Sequence, residues 1–228
     1  MNNLVSFLKS LDWSPLWISV KTGIVATLVC FFLGIYLAWK VYKIPSGKSR
    51  IKSVIDSLLT LPMVLPPTVA GFFLLLIFSR RRPLGSFLFN TFNIKVVQSW
   101  LACILAASVI SLPLMYRNAR AAFEQVDKNL IAAGRTLGLS ESKIFWKGAL
   151  PCARPGILSG VVLSFSRALG EYGATSMLAG NIPGKTATIS QRIAMVIQDQ
   201  DYLTAGIWVS IVLVIAFVLI LIINGNRT

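Results

Sequence analysis

Residues 118–155 read NARAAFEQVDKNLIAAGRTLGLSESKIFWKGALPCARP, a charged stretch that lies between strongly apolar segments. Its apolar residues recur at helical spacing up to a break at Gly134 and Gly138, and Ser140 is placed to cap a second short helix. That helix is expected to end before Leu150-Pro151. A helix–turn–helix that exposes apolar side chains at a membrane face is suited to docking into another protein, whereas an ordinary loop needs no such order.

The composition is that of a membrane protein. Hydrophobic residues make up 55% of the 228, charged residues only 13%, and the mean hydropathy is +0.73. A helix needs about 20 apolar residues to cross the bilayer core, and five segments reach this length. We therefore expect an all-α integral membrane protein with a single domain over residues 1–228 and a helical cytoplasmic loop over residues 117–155. The expected spans are residues 16–39, 54–78, 96–115, 156–174 and 203–223.

The basic residues are distributed unevenly between the two sides of these spans. Most of the 22 lysines and arginines lie after the first span, in the loop over residues 117–155 and in the C-terminal tail. By the positive-inside rule that side is cytoplasmic, which places the N-terminus outside and the C-terminus inside. Arg80, Arg81 and Arg82 break the rule locally, either as an accident of topology or as a basic lip that attracts anions.

The residue inventory argues against several classes of chemistry. A net charge of +14 would point to nucleic acid in a soluble protein, but here it follows from membrane orientation, so we expect no nucleic-acid partner. The chain has no His and three scattered Cys, and therefore offers no metal cluster, no catalytic triad and no disulfide framework. It also lacks a Gly-rich phosphate-binding loop followed by Lys-Ser or Lys-Thr. We expect neither enzymatic activity nor a cofactor.

Three prolines interrupt the second expected span. Pro62, Pro66 and Pro67 each remove a backbone donor, and such breaks survive in a membrane only where protein or water satisfies the freed carbonyls. Proline is also common in spanning helices. The clustering nevertheless favours a helix that faces a translocation pathway.

The fourth expected span carries two charges within apolar sequence. Arg167 and Glu171 are four positions apart and can pair on one helix face. The pair is either structural or lies beside a pathway, and the sequence does not decide between these readings. Ser164 and Ser166 place hydroxyls nearby, and polar groups at membrane depth must face protein or water.

Residues 177–200 are too polar to span. They either dip into the pathway as a re-entrant stretch or lie on the outer surface, and their hydroxyl residues are candidates for lining the route. Together the candidate pathway residues are Pro62, Pro66, Pro67, Ser164, Ser166, Arg167, Glu171, Thr186, Thr188 and Ser190.

The loop over residues 117–155 resembles the EAA loop of importer-type ABC permeases, in which an acidic-Ala-Ala start is followed by Gly and later by Leu-Pro. The chain departs from that pattern at Ala132, where the family has its acid, and at Gly134, where it has the second alanine. The resemblance implies that the loop couples to a cytoplasmic ATPase, with weakened polar contact. The residues that carry it are Asp127, Leu130, Ala133, Arg135, Leu137, Gly138, Ile144, Leu150 and Pro151.

Three further stretches resemble the molybdate permease subfamily: TLPMVLPPTVAG at residues 60–71, SRALGEYGAT at 166–175 and GNIPGKT at 180–186. Sulfate and thiosulfate permeases share much of these stretches, and tungstate permeases are near neighbours. The likeness covers roughly residues 16–223. It implies the type I ABC importer permease fold and a molybdate-transporting subunit of a bacterial inner membrane, with sulfate, thiosulfate or tungstate as the alternative substrate.

The same resemblance implies a set of partners. Two copies of the permease would enclose one pathway, two ATP-binding subunits would hold the loop in the cytoplasm, and a periplasmic or lipid-anchored protein would deliver the oxyanion. A channel or secondary carrier that works without ATP is a competing class, but it leaves the ordered loop without a role. A membrane-anchored scaffold is another, and it makes Arg167 and the clustered prolines needlessly costly.

Overall fold

The computed structural model describes residues 11–45, 47 and 49–225, and every regular element in this part of the chain is helical, which confirms the all-α prediction. A π-helical turn, Phe145–Ala149, joins the helix Glu141–Ile144 to the helix Leu150–Leu169 without a break. The helices are α1 (Ser14–Tyr42), α2 (Ser49–Val64), α3 (Pro67–Phe78), α4 (Pro83–Phe92), α5 (Trp100–Glu124), α6 (Lys128–Thr136), α7 (Glu141–Ile144), α8 (Leu150–Leu169), α9 (Gly173–Ala179), α10 (Ile189–Gln198) and α11 (Tyr202–Gly225).

Four helical stretches in the described residues are long and apolar enough to cross a membrane. They are α1, α5, the continuous run from α7 to α8, and α11. The expected span over residues 54–78 is instead two helices, α2 and α3, bent by 109° against each other. The count is therefore four spans, or five if the bent pair crosses as one unit.

The bend follows from the two adjacent prolines. Pro67 takes the first position of α3, where its missing N–H costs no helical hydrogen bond. Pro66 before it has ψ of 132°, an extended value, as expected for a residue that precedes proline. The Pro66 carbonyl then accepts the amide N–H of Val69 at 2.9 Å. The chain thus changes direction sharply while the new helix keeps its first hydrogen bonds.

Helices α1 and α5 run side by side in the same direction and form the centre of the molecule. At one end Trp100 Nε1 donates to Thr22 Oγ1 at 2.9 Å, and at the other end the rings of Trp39 and Phe123 are 5.2 Å apart. Between them Gly34 allows close approach, since a Cβ there would lie 2.8 Å from Met115 Cγ. Small residues at helix crossings are the usual device for packing helices in membranes.

Helix α8 also packs on α5 by the same device. A Cβ at Gly156 would lie 2.6 Å from the Cβ of Ala122, and one at Gly160 would lie 3.0 Å from Asn118 Cβ. Helices α1, α5 and α8 therefore share one core. It combines small residues at the helix crossings with large buried side chains such as Met115 and Phe123.

Two sequence-based expectations about α8 are corrected by the structure. The short helix that begins after Ser140 does not end before Leu150-Pro151, because the π-helical turn lets the chain pass Pro151 and continue as α8. The span expected over residues 156–174 ends at Leu169, and Gly173 starts the separate helix α9. Glu171 therefore lies in a break between helices, not on the helix that carries Arg167.

Helix α3 crosses α9 at Gly71. A Cβ at this position would lie 2.7 Å from Ala174 Cα and 2.9 Å from the Ala174 carbonyl oxygen, and both are backbone atoms. We expect Gly71→Ala to lower the apparent melting temperature of the detergent-solubilised protein, because overpacking of this kind costs about 1–3 kcal/mol.

The matched control is Gly206→Ala in α11, where an added Cβ meets no atom of the described residues within 4 Å. Equal melting temperatures for the two variants would show that the α3–α9 crossing does not require glycine.

Candidate functional site

A cavity of about 360 Å³ lies at the bend between α2 and α3. It brings together Pro62 and Pro67 from the bent pair with Arg167 from α8, three residues that the sequence singled out as pathway candidates. Among the described residues that line it, Arg167 is the one that carries a charge. The remaining lining residues are Met63, Leu65, Ile110 and Leu114.

Arg167 and Glu171 form the expected ion pair. Arg167 Nη1 lies 2.8 Å from Glu171 Oε2, and the carboxylate is 1% exposed while the guanidinium side chain is 33% exposed. The second carboxylate oxygen of Glu171 accepts the amide N–H of Ala174 at 2.7 Å. Glu171 therefore anchors the first turn of α9 and orients Arg167, whose more exposed guanidinium borders the cavity.

The predicted hydroxyl residues do not gather around this cavity. Ser164 is buried and donates to the Ser111 carbonyl at 3.3 Å, and Ser166 donates to the Val162 carbonyl of its own helix at 2.8 Å. Pro66 is exposed at the bend and does not line the cavity.

The hydroxyl residues at and before the start of α10 form local hydrogen bonds that stabilise the turn and the first turn of the helix. Thr186 Oγ1 accepts the Ile182 N–H at 3.0 Å, and Thr188 forms a capping box with Gln191, whose Oε1 accepts the Thr188 N–H at 2.9 Å. Ser190 is half-buried in the first turn of α10. These groups shape the segment between α9 and α10.

Residues that the sequence did not single out complete the cavity wall. Ile110 and Leu114 are one turn apart on α5, and Met63 precedes the bend. Ile110 and Leu114 are apolar residues of a largely apolar stretch of α5, so their side-chain type does not distinguish them from their neighbours. Their i, i+4 spacing indicates a shared face but not what that face contacts.

Residues 117–155, here named the coupling segment after the role that their resemblance predicts, have the predicted helix–turn–helix at their centre. Asp127 caps α6 by accepting the Asn129 N–H at 2.8 Å, and Gly138 turns the chain with φ of +71°. Ser140 caps α7 through the Lys143 N–H at 3.4 Å. Ile144 is buried against Gly134, where a Cβ would lie 3.1 Å from its side chain. These residues fix the shape of the segment.

Apolar side chains remain exposed on this segment. Leu137, at the turn, is 77% exposed, and Leu130 and Trp146 are also exposed. Ala133 and Pro151 are exposed as well, while Leu150 is half-buried at the start of α8. Exposed apolar residues on a rigid, polar helical hairpin are typical of a docking surface.

Ion pairs tie the coupling segment to α1. Glu141 Oε1 lies 2.8 Å from Arg135 Nε, and Glu141 Oε2 lies 2.6 Å from the Nζ of Lys43, which follows α1. The hydrogen bond to Glu141 raises the pKa of the Arg135 guanidinium, so the cation stays charged at any physiological pH. The contact between Glu141 and Lys43 thereby joins the coupling segment to the end of α1.

A second polar cluster, not found by sequence reasoning, ties α2 to the end of α5. Asp56 accepts a hydrogen bond from the Tyr116 hydroxyl and forms an ion pair with Arg120. Lys52 Nζ lies 3.5 Å from Glu124 Oε1 in the same cluster. The sequence feature that could have indicated this cluster is the single carboxylate, Asp56, within the expected span over residues 54–78.

A protein-family model described as "Binding-protein-dependent transport system inner membrane component" matches residues 30–225. The molybdenum transport system permease protein ModB of Escherichia coli (strain K12) is 41% identical over 187 residues, which cover 82% of this chain and 80% of that protein. The putative molybdenum transport system permease protein YvgM of Bacillus subtilis (strain 168) is 35% identical over 95% of this chain and 94% of its own length.

A sulfate permease and a solved structure also match. The sulfate transport system permease protein CysT of Salmonella typhimurium is 31% identical, covering 98% of this chain and 84% of that protein. The crystal structure of a bacterial ABC transporter involved in import of the acidic polysaccharide alginate superposes with a TM-score of 0.79 at 16% identity, over 100% of this chain and 83% of the other, which shows a shared fold. The chain belongs to the family of binding-protein-dependent transport system inner membrane components, with the type I ABC importer permease fold.

Proposed function

We propose that this chain is the permease subunit of an ATP-driven importer that carries molybdate across the bacterial cytoplasmic membrane. The observation that carries the proposal is its 41% identity to a molybdenum transport permease over most of both chains. The similarity to a sulfate permease supports the alternative that sulfate is the substrate.

The partners follow from this function. A homodimer would enclose one pathway, with two ATP-binding subunits in the cytoplasm and a periplasmic or lipid-anchored protein that delivers the oxyanion. Apolar side chains on α2, such as Val54, Leu58 and Val64, are exposed and support contact with a second copy or with lipid. The N-terminus would lie outside and the coupling segment inside, in agreement with the distribution of basic residues.

Arg167 is the residue we propose for contact with the substrate. A divalent oxyanion cannot cross hydrocarbon and needs donors and positive charge along its route. The Arg167 guanidinium borders the cavity at the bend, and Glu171 holds its orientation from the buried side. The apolar remainder of the lining leaves this cation as the one fixed charge that an anion would meet there.

ATP-driven movement would reach this cavity through two connections. The coupling segment is ion-paired to the end of α1 through Glu141 and Lys43, and α5 is tied to α2 through Asp56 and Arg120. Helix α2 leads directly to the bend that lines the cavity. A rigid-body displacement of the coupling segment would therefore be passed to the cavity wall, and the subunit would rock between inward- and outward-facing states.

Uptake into vesicles tests the substrate. Vesicles that hold this chain with its ATPase and binding protein should accumulate labelled molybdate only with ATP, and a large excess of sulfate should leave uptake nearly unchanged. Unlabelled tungstate should compete, because it shares the charge and shape of molybdate.

Two outcomes would contradict the proposal. Uptake removed by modest sulfate would assign the chain to sulfate transport. Uptake that is indifferent to ATP would support a channel or secondary carrier instead.

We expect Arg167→Ala to reduce uptake by about 100-fold or more, since loss of a partly buried charge partner costs about 2–5 kcal/mol. Because that change also leaves Glu171 buried without its partner, the decisive variant is Arg167→Gln combined with Glu171→Gln, which removes both charges. It should assemble with the ATPase yet remain inactive.

The matched control for this pair is Arg50→Ala, which removes an exposed arginine that makes no ion pair with any described residue. It should transport normally. If the double glutamine variant transports as well as wild type, the Arg167–Glu171 pair is structural only.

The exposed turn of the coupling segment gives a separate prediction. Leu137→Asp should prevent co-purification of the ATPase and remove ATP-dependent uptake, because it places a charge on an apolar docking residue that is 77% exposed. Leu137→Met keeps the volume and polarity of the side chain and should retain both properties. Normal co-purification of the aspartate variant would place the docking surface elsewhere on the chain.

A further inference from the structure

A second cavity, of about 430 Å³, lies at the end of the molecule away from the coupling segment. It is formed where the first turns of α1 and α5 meet the turn before α10, and its walls include Trp17, Lys21, Gln98, Ser99, Trp100 and Lys185. Its volume is within the range of about 300–1,000 Å³ that is usual for ligand pockets. No part of the transport route proposed above uses it.

The charge of this cavity has one sign. Lys21 and Lys185 both line it, and no carboxylate is among its lining residues. Neither lysine forms an ion pair with any carboxylate in the described part of the chain. Both lysines are exposed at the mouth of the cavity, and two ammonium groups without a carboxylate partner there favour the binding of an anion.

The surroundings of Lys21 position its charge. Its Nζ lies 4.0 Å from the centre of the Trp100 ring, and Trp100 is held in turn by its hydrogen bond to Thr22 at 2.9 Å. A cation–π contact occupies one side of the ammonium group, so its remaining N–H donors can serve a ligand.

The amino end of α5 adds further donors. Ser99, the residue before α5, donates its hydroxyl to the Val96 carbonyl at 2.5 Å and does not cap the helix. The first N–H groups of a helix without a side-chain cap carry partial positive charge. Gln98 has φ of 58°, and Gly184 on the facing turn has φ of 71°. This conformation is uncommon for Gln98, whereas glycine adopts it readily.

The position of the cavity relative to the membrane surface indicates which anions can reach it. Lys21 and Lys43 are separated by about 33 Å along α1 at 1.5 Å per residue, which is close to the thickness of the hydrocarbon core. Lys43 contacts the coupling segment, so Lys21 lies near the opposite membrane surface. Trp13, which is 42% exposed, lies at the same end, and an exposed Trp at this depth is typical of the interfacial aromatic belt. Phosphate groups of lipids and dissolved oxyanions are both present at this level.

We propose that this cavity is a binding site for a tetrahedral oxyanion of the phosphate class, held between Lys21 and Lys185 at the amino end of α5. The ligand is either the headgroup of an anionic phospholipid or a free oxyanion. This inference is independent of the substrate that the permease transports.

The test uses the full chain in nanodiscs, with two probes. Retention of phosphatidylglycerol is measured by native mass spectrometry, and binding of inorganic phosphate in phosphatidylcholine discs is measured by tryptophan fluorescence, which Trp17 and Trp100 make sensitive to this cavity. Wild type should bind at least one probe. Lys21→Gln combined with Lys185→Gln should weaken that binding by about tenfold or more, as expected for loss of charge-assisted hydrogen bonds.

Two controls separate the site from general charge. Lys21→Arg combined with Lys185→Arg keeps both cations and should retain binding, and Lys95→Gln removes a basic residue outside the cavity and should have no effect. Binding of phosphatidylglycerol alone assigns the site to lipid, and binding of phosphate assigns it to a free oxyanion. Failure of wild type to bind either probe, or equal binding by the double glutamine variant, would overturn the proposal.

Discussion

The buried carboxylate of Glu171 is the contact on which the arrangement around the candidate pathway depends. One of its oxygens accepts the Ala174 N–H at 2.7 Å and the other lies 2.8 Å from the Arg167 guanidinium. A buried charge is tolerated only when it is paired and hydrogen-bonded, so both partners are required. The first contact fixes the start of α9, whose Ala174 packs on Gly71 of α3, and the second holds Arg167 beside the cavity. The Glu171 side chain thus holds the end of α8, the short helix α9 and the bent pair α2–α3 in position relative to one another.

The parallel pair of α1 and α5 separates two chemically different ends of the molecule. At their carboxyl ends, charged residues of both signs pair with one another and hold the coupling segment. At their amino ends, Lys21 and Lys185 line a cavity whose wall includes no carboxylate from the described part of the chain. The core between the two ends is built from small residues in close approach, which makes the pair stiff. A stiff pair of helices can transmit a displacement at one end of the permease to the other end.

Helix α2 differs from this stiff centre. None of its described side chains is fully buried, and it is fixed mainly by the Asp56 contacts at α5 and by the bend that follows Val64. An element with few buried contacts rearranges at lower cost than the core does. The wall of the cavity that comes from α2 is therefore the part most readily displaced, whereas the wall that comes from α5 and α8 stays in place.

Local chemistry explains what the sequence by itself determined. Apolar length was enough to predict the all-α membrane class, and Asp127, Gly138 and Ser140 specified the turn and caps of the coupling segment, because capping depends only on residues within one helical turn. The charges of Arg167 and Glu171 also predicted their ion pair, although Glu171 lies beyond the end of α8 and not on its face. Only the tertiary structure decided the 109° bend at Pro66, the passage of α8 through Pro151, the contact of Asp56 with Tyr116 and Arg120, and the cavity between Lys21 and Lys185. The Asp56 contacts and the cavity depend on residues far apart in the chain, and sequence periodicity indicates that a helix face exists without indicating its partner. The prolines mark where a helix can break, but they do not indicate that the chain bends at Pro66 and continues as a helix through Pro151.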